Sequence, residues 1–167
     1  AVDTNPPPYY SLTRFAHRFI QDEHVAYRLP SILAFLGTIA CLWAVLVRRV
    51  SALASFVGVV SILLTALAKN YVAEARPYAL MVGLLSLALA AWQRVDDSKF
   101  YLLVLAVALA GSLSFHYYAI LAFPVFFLAE AAVAVFDRRL RFPVWMALAA
   151  GLSPMLIFSG HLASVRQ

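Results

Sequence analysis

Charge is scarce in this sequence: 13% of its 167 residues are Asp, Glu, Lys or Arg, against roughly 25% in soluble globular domains. Hydrophobic residues make up 64% and the mean hydropathy is +0.86, which excludes an ordinary soluble domain and makes this a membrane protein. Cysteine is nearly absent. The single thiol, Cys41, lies within an apolar run, so no intrachain disulfide can form and the count says nothing of redox compartment. There is no Gly-rich phosphate loop, no G-x-S-x-G elbow and no C-x-x-C pair, which removes the common soluble enzyme classes. No histidines stand at H-x-x-x-H or H-E-x-x-H spacing, so motifs argue no metal site and leave a divalent ion open. Internal repeats and matched helix breaks are missing too, against a transporter of inverted-repeat design. The start at Ala1, with neither an initiator Met nor the pattern of a signal peptide, reads as a processed or truncated piece.

What the chain does contain is six apolar runs, at about Leu29–Val47, Val50–Ala68, Tyr78–Trp92, Phe100–Phe115, Tyr118–Phe136 and Phe142–Phe158. A spanning helix needs about 17 to 25 residues, so the third and fourth are short and borrow length from flanking aromatics such as Trp92, Tyr101, Tyr117 and Tyr118. Ahead of them, residues 1–27 are polar. Pro6-Pro7-Pro8 forbids a helix before Pro8. Leu12, Phe15, Ala16, Phe19 and Ile20 then recur at helical spacing opposite Arg14, His17, Arg18 and Gln21, the pattern of a helix lying in the membrane interface. The expected fold is therefore all-α: a polytopic transmembrane bundle of about six spans over 28–167, preceded by an extracytoplasmic loop with an amphipathic interfacial helix over 1–27.

The net charge of +5 comes from short clusters between runs and not from a stripe, which points to lipid rather than nucleic acid. Arg48, Arg49, Arg94, Lys99, Arg138, Arg139 and Arg141 fall in alternate turns, against Lys69 and Arg76 in the opposite ones, and the positive-inside rule makes the first set cytoplasmic. All four histidines (His17, His24, His116 and His161) then face outward with Asp3, Asp22, Glu23 and Glu74. Glu130 is the one charge within a run. Its expected role is to reach the interface or pair with Arg138 or Arg139. Glu74-Ala-Arg-Pro-Tyr78 is the stretch that stands out: a Glu and an Arg at a span mouth, before a proline suited to start a helix. A solvated loop is the plain alternative.

Four stretches in order, Asn5-Pro6-Pro7-Pro8-Tyr9-Tyr10, Tyr27-Arg28-Leu29-Pro30-Ser31, Glu74-Ala75-Arg76-Pro77-Tyr78-Ala79-Leu80 and His116-Tyr117-Tyr118-Ala119, together resemble the membrane glycosyltransferases of the GT-C fold. The group resembled is the protein O-mannosyltransferase and aminoarabinose transferase-like families, over nearly the whole chain. The resemblance implies transfer of a sugar from a polyprenyl-phosphate-linked donor to a lipid or protein acceptor outside the plasma (inner) membrane, usually with inversion. It implies catalytic roles for Asp3, Glu74 and Arg76, and substrate contacts from Asn5, Tyr9, Tyr10, Arg28, Tyr78, His116, Tyr117 and Tyr118. Cations would hold the phosphate, a carboxylate would take the acceptor's proton, and tyrosines would line the sugar. No cofactor beyond a possible metal ion is implied. Asn5 stands where relatives often have His or Lys, and the family's acidic loop after the first span is not seen. An upstream span and acidic pair are therefore expected, with the 167-residue chain inactive alone. A transporter or flippase-like protein and a non-catalytic subunit are the rival readings.

Overall fold

The computed structural model describes residues 8–65 and 77–157, and every described element is helical. In chain order these are α1 (Pro8–His17), α2 (Glu23–Leu46), α3 (Ala52–Leu63), α4 (Tyr78–Trp92), α5 (Phe100–Phe115), a 3₁₀ segment (Tyr117–Ala122), α6 (Phe123–Phe136), α7 (Phe142–Gly151) and α8 (Ser153–Ile157). Among the described residues two stretches, Glu23–Leu46 and Tyr117–Phe136, are long and apolar enough to cross a membrane, and four shorter apolar helices accompany them.

The helix starts follow local chemistry. α2 begins six residues before its apolar run because Asp22 caps it, its carboxylate accepting from the backbone N–H groups of His24 at 2.9 Å and Val25 at 3.2 Å. Ser51 caps α3 through the Ala54 N–H at 3.3 Å. Pro8 opens α1, and Pro124 and Pro143 sit in the first turns of α6 and α7, where a missing N–H costs nothing. Pro124 thus marks the change from 3₁₀ to α geometry instead of kinking a continuous span.

α4 lies between α2 and α5, and α5 in turn packs on α7, α8 and the 3₁₀ segment, while α1 rests on α2 and α5. Hydrophobicity does not set the packed faces apart. On α5 the buried residues are Leu105, Ala108, Leu109, Ser112 and Leu113, and on α7 Val144, Ala147, Leu148 and Gly151, both at the i, i+3, i+4, i+7 spacing of a helix stripe. Off the stripe the residues are just as apolar: Leu103 and Val107 are each 61% exposed and Phe136 is 83% exposed. Faces of this kind are costly in water and neutral in hydrocarbon. Close approach is concentrated at two glycines. A Cβ on Gly83 would stand 2.9 Å from the Ala34 carbonyl oxygen of α2, and one on Gly151 would stand 2.7 Å from Leu109 Cβ of α5. Buried hydroxyls turn back on their own helices, Thr38 donating to the Ala34 carbonyl at 2.9 Å and Ser112 to that of Leu109 at 2.7 Å.

The basic turns gather at one end of the bundle. There Glu130, fully buried, accepts two hydrogen bonds from Arg141 (Nε to Oε1, 3.0 Å; Nη2 to Oε2, 2.6 Å) and a third from Trp92 Nε1 at 2.9 Å. The remaining Arg141 nitrogen, Nη1, donates to Asp96 at 2.9 Å, and the guanidinium lies 5.6 Å from the Trp92 ring centroid. Bonding to Glu130 raises the Arg141 pKa further and holds its charge. The sequence expectation of an Arg138 or Arg139 partner is corrected: Arg139 pairs with Asp96 at 3.2 Å, and Arg141 reaches Glu130 because Arg138 adopts a left-handed φ of 50° that folds the chain back over the end of α6. Arg48 bonds Asp97 at 2.8 Å, and Arg94 donates to the carbonyls of Ala90 and Ala44, joining α4 to α2.

Candidate functional site

At the other end of the bundle the start of α4 meets the end of α5. His116 is the C-cap of α5, its extended backbone (φ −157°, ψ 124°) breaking the helix while its N–H still donates to Ser112. The same residue caps the 3₁₀ segment, its Nδ1 accepting from the Tyr118 backbone N–H at 3.2 Å. An Nδ1 that accepts leaves the ring proton of the neutral imidazole on Nε2, as a donor. His116 is 8% exposed, and its burial pushes the pKa below the usual histidine value, so the neutral form persists at neutral pH.

Two tyrosines enclose this ring. Tyr78, the first residue of α4, sets its ring 4.6 Å from the imidazole at 33°, and Tyr118 sets its own at 4.9 Å and 47°. The cluster joins residues 38 and 40 positions apart (116 − 78 and 118 − 78), so it exists only because α4 and α5 pack antiparallel. Tyr118 is exposed, and the Tyr117 hydroxyl is buried with no hydrogen-bond partner among the described residues. Such an orphaned hydroxyl is costly unless something reaches it. Separately, His17 at the end of α1 packs edge-on against Tyr27 of α2 at 4.6 Å.

The structure therefore brings three of the predicted site residues, Tyr78, His116 and Tyr118, into one cluster, with Tyr117 beside them in sequence. Arg28 is exposed on the early turns of α2. Asp3, Asn5, Glu74 and Arg76 lie outside the described residues, as do the side chains of Tyr9 and Tyr10. No three His, Cys, Asp or Glu side chains among the described residues converge as a metal site. The Glu130–Arg141–Asp96 group, in which Glu130 is buried and Asp96 exposed, was missed as a unit, since its members come from three separate segments. The signal that could have found it is a lone Glu within an apolar run, which demands a cation wherever the fold can supply one.

Among the described residues, an all-helical bundle with apolar outer faces and its charged residues gathered at the two ends marks an integral membrane protein. Residues 4–163 match the family described as dolichyl-phosphate-mannose-protein mannosyltransferase. The chain belongs to that family, a family of membrane glycosyltransferases, in keeping with the resemblance its motifs carry. No curated protein and no solved structure matches it.

Proposed function

We propose that the protein transfers a sugar from a polyprenyl-phosphate-linked donor to a hydroxyl acceptor, a lipid or a protein, on the extracytoplasmic face of the plasma membrane. The observation that carries this reading is the Tyr78–His116–Tyr118 cluster, which offers ring faces and a neutral Nε2–H donor at the end of the bundle where the Glu74-Ala75-Arg76 stretch immediately precedes Pro77. Sugars are bound through ring faces and hydroxyl partners, and phosphates through guanidinium groups. In the reaction the bond from the sugar C1 to the phosphate oxygen breaks, and the phosphate leaves with the electron pair. A bond forms from C1 to the acceptor oxygen, whose proton passes to a carboxylate. Arg76, with Arg28, holds the departing phosphate; Glu74 or Asp3 takes the proton; Asn5, Tyr9, Tyr10, Tyr117 and the ring cluster line the sugar. The basic turns lie in the cytoplasm, six helices cross the bilayer, and α1 and the turn after it lie at the outer surface with Phe15 and Phe19 toward lipid.

The test is turnover of a polyprenyl-phosphate-mannose donor by the intact protein in liposomes. Arg76→Ala is expected to lower transfer by about two orders of magnitude or more at unchanged expression, since bonds to a charged phosphate are among the strong ones. Arg76→Lys separates a bidentate contact, which it loses, from a simple charge, which it keeps. Wild-type turnover in Arg76→Ala and in His116→Ala together would overturn the reading and favour a transporter or a non-catalytic subunit.

A further inference from the structure

The basic end of the bundle, away from the ring cluster, contains a cavity of about 200 Å³ lined by Arg49, Trp92, Gln93, Asp96, Val133, Asp137, Arg139 and Arg141. Most of its charges are already matched. Arg141 is occupied by Glu130 and Asp96, and Arg139 by Asp96. Left over are Arg49 and Asp137, neither with an ion pair among the described residues. Gln93 is left over as well, its side-chain oxygen buried without a donor among the described residues. A buried acceptor of this kind is a place for a donor that the described residues do not supply. Asp137 is exposed at the C-cap of α6, where the negative end of the helix dipole favours a cation beside it. The cavity thus offers the exposed Arg49 to a negative group, and Gln93 with the exposed Asp137 to a hydrogen-bond-donating positive group, within one small ligand. It opens where the apolar helices end, with Trp92 and Val133 as walls, at headgroup level for a membrane protein. The left-handed turn at Arg138, strained for a residue with a Cβ, is what brings Arg139 and Arg141 to its rim.

We propose that this cavity binds the headgroup of a phospholipid carrying a primary ammonium, of the phosphatidylethanolamine class. Its phosphate meets Arg49 at the edge of the Arg139 guanidinium, and its ammonium donates to Gln93 Oε1 and Asp137. A quaternary ammonium has no N–H to give, so a choline headgroup leaves Gln93 unsatisfied; a glycerol headgroup brings no cation to Asp137. The site is separate from the proposed transfer chemistry, and its test does not use turnover.

The intact protein is released from nanodiscs of equimolar phosphatidylethanolamine, phosphatidylglycerol and phosphatidylcholine with matched acyl chains, and retained lipid is read by native mass spectrometry. Retention of phosphatidylethanolamine over phosphatidylcholine by about tenfold is expected, the weight of one charge-assisted hydrogen bond. Gln93→Leu should erase that preference, and Arg49→Gln should lower retention of both lipids alike, while the melting temperature stays at the wild-type value. Equal retention of the two lipids, a preference that survives Gln93→Leu, or total retention unchanged in Arg49→Gln overturns the proposal. So does a preference for phosphatidylglycerol that depends on Arg49 and ignores Gln93, which would make this a plain anion site.

Discussion

Replacing Arg141 with Met should be the most damaging single change among the described side chains. It removes all three charged hydrogen bonds that Arg141 makes, at 3.0, 2.6 and 2.9 Å, and leaves Glu130, which is 0% exposed, with only the Trp92 indole N–H as donor. Breaking a buried pair from one side costs about 3–5 kcal/mol, because the surviving charge stays desolvated. For a chain of this size that corresponds to a fall in melting temperature of roughly 6–20 °C. The reverse substitution, Glu130→Leu, should cost much less, since the Arg141 side chain is 11% exposed and keeps Asp96. Adding Glu130→Leu to Arg141→Met should then restore most of the loss, as apolar replacements of buried pairs commonly do. Thermal unfolding of the four proteins in one detergent, followed by size-exclusion chromatography, reads the cycle. If Arg141→Met melts within about 2 °C of wild type, less than ~1 kcal/mol by the same conversion, or if the double variant is no better than the single one, the buried pair does not carry the stability assigned to it.

Gly83→Ala should destabilise by about 1–3 kcal/mol, because its Cβ would meet the Ala34 carbonyl oxygen at 2.9 Å; Gly37→Ala, with nothing within 4 Å, should instead stabilise by about 0.5–1 kcal/mol through helix propensity alone, and opposite shifts in melting temperature check both. His116 has a folded pKa below its unfolded value, so the unfolded chain binds the extra proton; its contribution is complete above pH ~6.5 and is lost as pH falls below that. Melting temperatures taken from about pH 7.5 down to about pH 5 should therefore drop more steeply for the wild type than for His116→Gln, and parallel curves would remove His116 from the account. For the topology, in a Cys41→Ala background, Ala73→Cys and Ser159→Cys should react with an impermeant thiol reagent added outside and Ser98→Cys should not; the opposite labelling pattern reverses the orientation.

The existence and approximate extent of the helices were legible in the sequence because an apolar run bounded by charge has few alternatives in a membrane protein. Their starts were less so: Asp22 sends α2 back to Glu23, ahead of the hydrophobic run, because a cap is a local hydrogen-bonding feature and not a hydropathy signal. Which face of each helix packs was not legible either. Leu103 and Leu105 are the same residue type two positions apart, one exposed and one fully buried, and hydropathy does not separate them. The histidine-tyrosine cluster was half visible, as His116-Tyr117-Tyr118 in one stretch and Tyr78 in another, while the contact between them needed the antiparallel packing of α4 and α5. Glu130 announced that a cation must exist without saying which; the choice of Arg141 rests on a backbone turn at Arg138 that no composition encodes.

The 3₁₀ segment sets the angle at which the ring cluster meets the rest of α6. Over its six residues, 3₁₀ winding advances about 3 Å further and turns about 120° more than α winding would, from the difference in rise and residues per turn. Its far end continues into α6, which Glu130 and Arg141 clamp to α4 and the α6–α7 turn. Its near end is held too, because His116 caps the packed helix α5, so the winding of those six residues sets the height and rotation of Glu130 relative to the ring cluster.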